Sequence, residues 1–135
     1  MTKGEAMYKI LVLNPGSTST KVAYYEDAVN VCERNLDVDR QVIAGMKGIF
    51  DQMDLRKETI RTFMKEEKID PKELNVIVSR GGGGGNLMSG GYIIDKALVQ
   101  HCYDYDTPHA SSLGPVIAYE MGQELGIPAF IYDGE

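Results

Sequence analysis

The segment Asn14-Pro15-Gly16-Ser17-Thr18-Ser19-Thr20-Lys21 holds the densest set of phosphate-binding groups in the chain. Gly16 permits a tight turn and close approach of backbone to a ligand. Ser17, Thr18, Ser19 and Thr20 add hydroxyls, Lys21 adds a positive charge, and Asn14 could orient a metal or its water. Together they would cradle a terminal phosphate and its Mg²⁺. The stretch is not a Walker P-loop: it lacks G-x-x-x-x-G-K-[ST], and β-prone residues follow it rather than a helix. By composition alone an ordinary solvated hairpin fits equally well, because Ser, Thr and Gly are common turn residues.

Three further residues could serve a site. Arg80 leaves an apolar run and opens a glycine-rich loop, where it could pair bidentately with a carboxylate or phosphate or simply face solvent. His109 precedes a helix start, a place that favours anions, although a lone loop histidine is more often solvated. Asp133 follows the last strand, where open α/β sheets gather ligand groups. Its plainer reading is a solvated terminal carboxylate. Asp104 and Asp106 lack a third oxygen ligand at useful spacing and read as loop solubilisers. The run Gly81 to Gly85 has no G-x-G-x-x-G register opening a helix, so a dinucleotide site is disfavoured.

The elements that must position these groups follow from periodicity. Tyr8 to Leu13 reads as a buried strand ended by Asn14-Pro15-Gly16. Val22 to Tyr25 reads as a second strand, and Val29 with Val31 as a weaker third. From about Gly48, Ile49, Phe50, Met53, Ile60, Phe63 and Met64 share one helical face while Asp51, Lys57, Glu58 and Lys65 point elsewhere; Asp70-Pro71 ends the helix. Asn75 to Ser79 is another buried strand, and Tyr92 to Ile94 a brief one. Asp95 caps a short helix through about Cys102. Ser111 or Ser112 caps the next, which packs Leu113, Val116, Ile117, Met121 and Leu125 inward and stops at Gly126. Ala129 to Tyr132 closes the series as a strand. The expected order is β-β-β-α-β-α-α-β, an α/β domain with a mixed five-stranded sheet.

Composition agrees with one globular domain. The chain has 135 residues, 43% apolar and 25% charged, enough to bury a core without disulfides or metals. Fourteen basic against twenty acidic residues give a net charge of −6, which argues against nucleic-acid binding but not against a nucleotide ligand. No run approaches a membrane span, and no secretory leader opens the chain. Cys32 and Cys102 read as reduced thiols of a cytoplasmic protein. Residues 1–7 read as a disordered or expression-derived start, and 8–135 as the domain. An end directly after a strand reads as truncation.

Ile10-Leu11-Val12-Leu13-Asn14-Pro15-Gly16-Ser17-Thr18-Ser19-Thr20-Lys21 resembles the opening signature of the acetate and butyrate kinase family, and its proline and Ser-Thr-Ser-Thr run resemble the butyrate kinase branch. Further matches follow in the family's order: Asp51-Gln52 with Arg56 and Ile60, Arg80-Gly81-Gly82, Gly91-Tyr92, His109-Ala110-Ser111 and Gly126 to Ile131. The resemblance spans Tyr8 to Asp133. It implies an actin/Hsp70-type, ribonuclease H-like domain preceding a nucleotide-binding second domain. The activity implied is transfer of phosphate from ATP, with Mg²⁺, to a short-chain carboxylic acid, giving ADP and an acyl phosphate.

On that resemblance, Asn14, Gly16, Ser17, Thr18, Ser19 and Lys21 bind phosphate. Arg80 with Gly81 and Gly82 binds the acid, His109 donates to the transferring phosphoryl group, and Asp133 with Asn14 places Mg²⁺. Arg80, His109 and Asp133 are then the catalytic set. The intact enzyme would be a homo-oligomer without nucleic-acid or membrane partners. Two departures stand out: Gly83-Gly84-Gly85-Asn86 replaces apolar, lysine and proline positions of the family and is expected to be mobile, and Ser112 stands where asparagine is common. A rival reading is a non-catalytic half-kinase that binds phosphate or serves in assembly.

Overall fold

The structure is a computed structural model that describes residues 7–80, 91–104 and 109–132. Strand β1 (Lys9–Pro15) pairs antiparallel with β2 (Ser19–Glu26), which pairs antiparallel with β3 (Val29–Asp37). A short helix α1 (Arg40–Ala44) starts under Asp39, whose carboxylate accepts from the Gln41 and Val42 amides. A 3-10 turn at Ile49–Gln52 leads into α2 (Met53–Glu66). Then come β4 (Val76–Arg80), β5 (Gly91–Ile93), α3 (Lys96–Asp104), a 3-10 turn at Ala110–Ser112, α4 (Leu113–Leu125) and β6 (Ala129–Tyr132).

The sheet has six strands in the order β3-β2-β1-β4-β6-β5, one more than expected. The sixth is β5, three residues long, read from sequence as a brief strand at Tyr92 to Ile94 but left out of the expected five; it pairs antiparallel with β6 through Gly91–Tyr132, Tyr92–Ile131 and Ile93–Phe130. β3 is the larger surprise: it runs nine residues, although only Val29 and Val31 suggest it. Its polar residues are tolerated because it is an edge strand with much of its surface in water.

β1, β4 and β6 run parallel, so their C-terminal ends share one end of the sheet. Leu11, Leu13, Ile77, Ala129 and Ile131 face the helices, and with Ile60, Phe63, Met64, Leu113, Ile117 and Met121 they form the core. α4 ends in a Schellman closure: Gly126 takes φ 73°, and the Ile127 amide donates to the Gly122 carbonyl at 2.9 Å. α2 stops at Glu66, four residues before Asp70-Pro71, because Lys68 turns left-handed at φ 60° and the Ile69 amide closes on the Met64 carbonyl at 2.8 Å. Lys57 does not point away from the core as its helical phase suggested. It lies buried in the seam between α2 and α4, its ammonium 2.5 Å from Glu120 and 3.6 Å from Glu124.

Candidate functional site at one end of the sheet

The hairpin linking β1 and β2 is a tight turn in which the Gly16 amide donates to the Ser19 carbonyl at 2.7 Å. Ser17 is exposed, Thr18 and Ser19 are half-buried, and Thr20 is fully buried. The Val38 amide donates to the Thr18 carbonyl at 2.9 Å, tying the turn to the end of β3. The expected hydroxyl row is therefore split. Ser17, Thr18 and Ser19 remain accessible, whereas the Thr20 hydroxyl points inward and accepts from Arg56 at 3.0 Å. Gly16 does not need glycine for the turn itself: its φ is not left-handed, and an added Cβ would lie 3.6 Å from Ser19 oxygens. What its missing side chain keeps open is the approach to the backbone.

Strand alternation carries Asn14 and Lys21 to the face of the sheet opposite the helices, where they are directly paired. With Arg80, Glu33 and Tyr25 they line a cleft of about 290 Å³. Lys21 is half-exposed, and its ammonium stands 3.9 Å from Glu33, a contact too long and too wet to hold it firmly. Arg80 ends β4, exposed, with its guanidinium 5.8 Å from the ring centroid of Tyr132 on the adjacent strand. Tyr132, unmarked in the sequence reading, is thus the platform for Arg80.

His109 is exposed and precedes the 3-10 turn that leads into α4, its amide donating to the Ser112 hydroxyl at 3.3 Å. Neither expected serine caps α4 with its side chain; Ser112 serves the turn instead. His109 does not line the cleft. It reaches the same end of the sheet from the helical side, where its turn lies against β1. That packing is close: a Cβ at Gly114 would fall 2.2 Å from the buried Ser79 hydroxyl and 3.3 Å from Pro15 Cδ.

The structure thus gathers Asn14, Lys21 and Arg80 in one cleft, leaves Ser17 exposed in the adjoining turn, and brings His109 to the same end. Gly81, Gly82, Asp106 and Asp133, the glycine-rich loop and residues 1–6 lie outside the described residues. Asp104 belongs to α3, not to a loop, and accepts from Gln100 at 3.0 Å. Among the described residues no three His, Cys, Asp or Glu side chains cluster as a metal site. Of the two expected Mg²⁺ ligands, Asn14 is described and Asp133 is not; an amide oxygen at Asn14 suits that ion alongside phosphate oxygens and water. The donor set of the hairpin suits the phosphate itself.

Sequence reasoning marked Arg56 only as a match in the family's order and gave it no role in the site. It rises from α2 beneath the hairpin, fully buried, and burial lowers its pKa from the ordinary arginine value. Nη1 donates to the Ser19 carbonyl at 2.8 Å, and Nη2 to the Gly16 carbonyl at 2.8 Å and the Ser17 carbonyl at 3.2 Å. Nε and Nη2 both reach Gln52 Oε1, at 3.0 and 2.8 Å.

The strand order, and the site at the shared C-terminal end of its parallel strands, define a ribonuclease H-like α/β domain of the actin/Hsp70 type. Solved structures bear this out. An acetate kinase from Porphyromonas gingivalis superimposes with a TM-score of 0.59 at 17% identity, over 93% of this chain and 37% of its own. A propionate kinase from Francisella tularensis gives 0.56, also at 17% identity, over 94% and 37%. Sequence similarity is more specific. Butyrate kinase 1 of Clostridium acetobutylicum is 38% identical over 128 residues, 94% of this chain and 36% of that protein. No protein-family model matches the chain. The chain is thus similar to butyrate kinases, and it spans about a third of the length of the curated relatives it matches.

Proposed function

We propose that this chain is the N-terminal domain of a butyrate kinase-like enzyme that phosphorylates a short-chain carboxylic acid at the expense of ATP. The observation that carries the reading is the meeting of Asn14, Lys21 and Arg80 in one cleft beside the exposed hairpin. A carboxylate oxygen of the acid attacks the γ-phosphorus, the bond to the ADP oxygen breaks, and an acyl phosphate and ADP result; the reaction is reversible. The nucleophile is already ionised at neutral pH, so no strong base is needed. Catalysis comes from alignment and charge neutralisation.

In this scheme Gly16, Ser17, Thr18, Ser19 and Lys21 bind the transferring phosphate. Arg80, with Gly81 and Gly82, orients the acid, and His109 donates a hydrogen bond to the phosphoryl group. Asn14 and Asp133 would hold Mg²⁺, whose charge offsets that of the phosphate oxygens. A second domain would supply the adenosine site, so the chain alone is expected to be inactive. The intact enzyme is proposed to be a cytoplasmic homo-oligomer; among the described residues no helix is long and apolar enough to cross a membrane.

Hydroxylamine trapping of acyl phosphate, with Mg-ATP and acids from acetate to valerate, tests the reading on this chain and on the full product of its gene. Signal from the full product, peaking at butyrate, supports it. Silence from a folded full product would sink it and leave a non-catalytic phosphate-binding or assembly module.

A further inference from the structure

A buried guanidinium must place five N–H donors, and most buried arginines do so on a carboxylate. Among the described residues Arg56 makes no ion pair. Its donors go to Gln52 and to the hairpin: the carbonyls of Gly16, Ser17 and Ser19 and the Thr20 hydroxyl. Filling the same space with an apolar side chain would avoid the cost of desolvating a charge. A plain hairpin of this length needs no such support, since its backbone bond from Gly16 to Ser19 already closes the turn.

The pattern of acceptors shows what the arginine does. A trans peptide is planar, with C=O and N–H pointing in opposite directions. Turning the Gly16 and Ser17 carbonyls inward onto Arg56 therefore turns the Ser17 and Thr18 amides outward, on the side where Ser17 is exposed. Successive outward amides are the construction of an anion nest. The guanidinium also sets a permanent positive charge behind that nest, in a water-poor place where its field is weakly screened.

We propose that Arg56, oriented by Gln52, is a positioning residue that presets the phosphate hairpin, aiming the Ser17 and Thr18 amides at the transferring phosphoryl group and supplying an uncompensated positive charge beneath it. This rests on the reading of the hairpin as a phosphate site. Neither residue touches substrate, so both act through the hairpin.

Two variants of the full gene product separate geometry from charge. Arg56→Lys keeps the charge but loses the fork that gathers three carbonyls. Gln52→Glu keeps both accepted hydrogen bonds and neutralises the pair. With ¹⁵N-labelled serine and threonine, Arg56→Lys shifts or broadens the Ser17 and Thr18 amide signals without ligand, while other signals stay native. Its kcat falls roughly 100-fold with the KM for the acid within about twofold, because the acid is held by other residues. Gln52→Glu leaves the hairpin signals in place and raises the KM for Mg-ATP about tenfold through lost charge stabilisation.

Native hairpin signals and wild-type kcat in folded Arg56→Lys would overturn the proposal. Should that variant fail to fold, Gln52→Glu carries the test, and an unchanged KM for Mg-ATP overturns it. If the wild-type product makes no acyl phosphate, the kinase reading fails by itself. The ligand-free hairpin signals still decide whether Arg56 sets the amides.

Discussion

On one side of the cleft the hairpin from Gly16 to Lys21 hangs from a buried arginine that takes three of its carbonyls. On the other, Arg80 has an aromatic ring 5.8 Å away and no ion pair among the described residues. The difference follows from what each side would have to do. A phosphate is the same in every turnover, so its donors gain from being fixed before the ligand arrives. An acid-binding arginine forms its strongest contacts with the acid itself, and a stacked, exposed guanidinium is free to do so. The hairpin should therefore fail by losing chemistry, and Arg80 by losing grip on one substrate.

The largest expected effect is at Lys21. It is half-exposed and only loosely paired with Glu33, so its loss should leave the fold intact. Lys21→Met in the full gene product is expected to lower kcat by roughly 10²–10³, as removal of one donor to developing charge usually does. Thermal unfolding should be unchanged. A kcat within threefold of wild type would break the comparison at its stronger end.

Arg80→Lys should act differently. Lysine keeps the charge but cannot bind a carboxylate through two parallel N–H bonds, and it stacks less well on Tyr132. The expected result is a rise of about 10- to 30-fold in the KM for the acid, with the KM for Mg-ATP nearly unchanged. An equal rise in both constants would move Arg80 to the phosphate side.

A pair of glycines sharpens the contrast on the scale of stability. Gly16→Ala adds a methyl with ordinary clearance, so the melting temperature should hold while phosphoryl transfer falls. Gly114→Ala places a methyl 2.2 Å from the Ser79 hydroxyl and against Pro15. The hydroxyl must rotate and α4 must shift, which should cost about 1–3 kcal/mol. Calorimetry on both variants reads the difference directly. A stable Gly114→Ala protein would show that the packing of α4 on the ends of β1 and β4 is looser than it looks.

What was legible in the sequence was local. The hairpin motif announces itself because its groups sit within one short stretch, and the core strands because Ile, Leu and Val runs leave few alternatives. The role of Arg56 was not legible, since its partners in the hairpin lie 36 to 40 residues away along the chain. A signal was present nonetheless. Gln52, Arg56 and Ile60 follow at intervals of four on the stripe that Phe63 and Met64 continue, so an arginine stood in an apolar row. Read as a core position, it demanded buried acceptors. Lys57 next to it was misassigned for the same reason: helical phase alone cannot see the Glu120 and Glu124 that α4 brings to it.

The smallest expected effect uses the two cysteines as reporters of the two sides. Cys32 lies on β3, half-buried, in the hairpin layer; Cys102 lies on α3, fully buried, in the layer that packs on α4. Burial pushes both thiols above the ordinary value, and at Cys32 the nearby Glu67 adds to the rise. Only thiolates react with disulfide reagents, so at pH 8 both should label several-fold more slowly than an unfolded cysteine. Cys32 should speed up steadily as pH rises, because its thiol is partly accessible and only ionisation holds it back. Cys102 should also wait for an opening of the α3–α4 layer, giving it the slower rate of the two. Comparable rates would mean that this layer opens readily in the native state. The scaffold behind His109 would then be looser than the hairpin, and the contrast between the two sides would extend from their side chains to the elements that carry them.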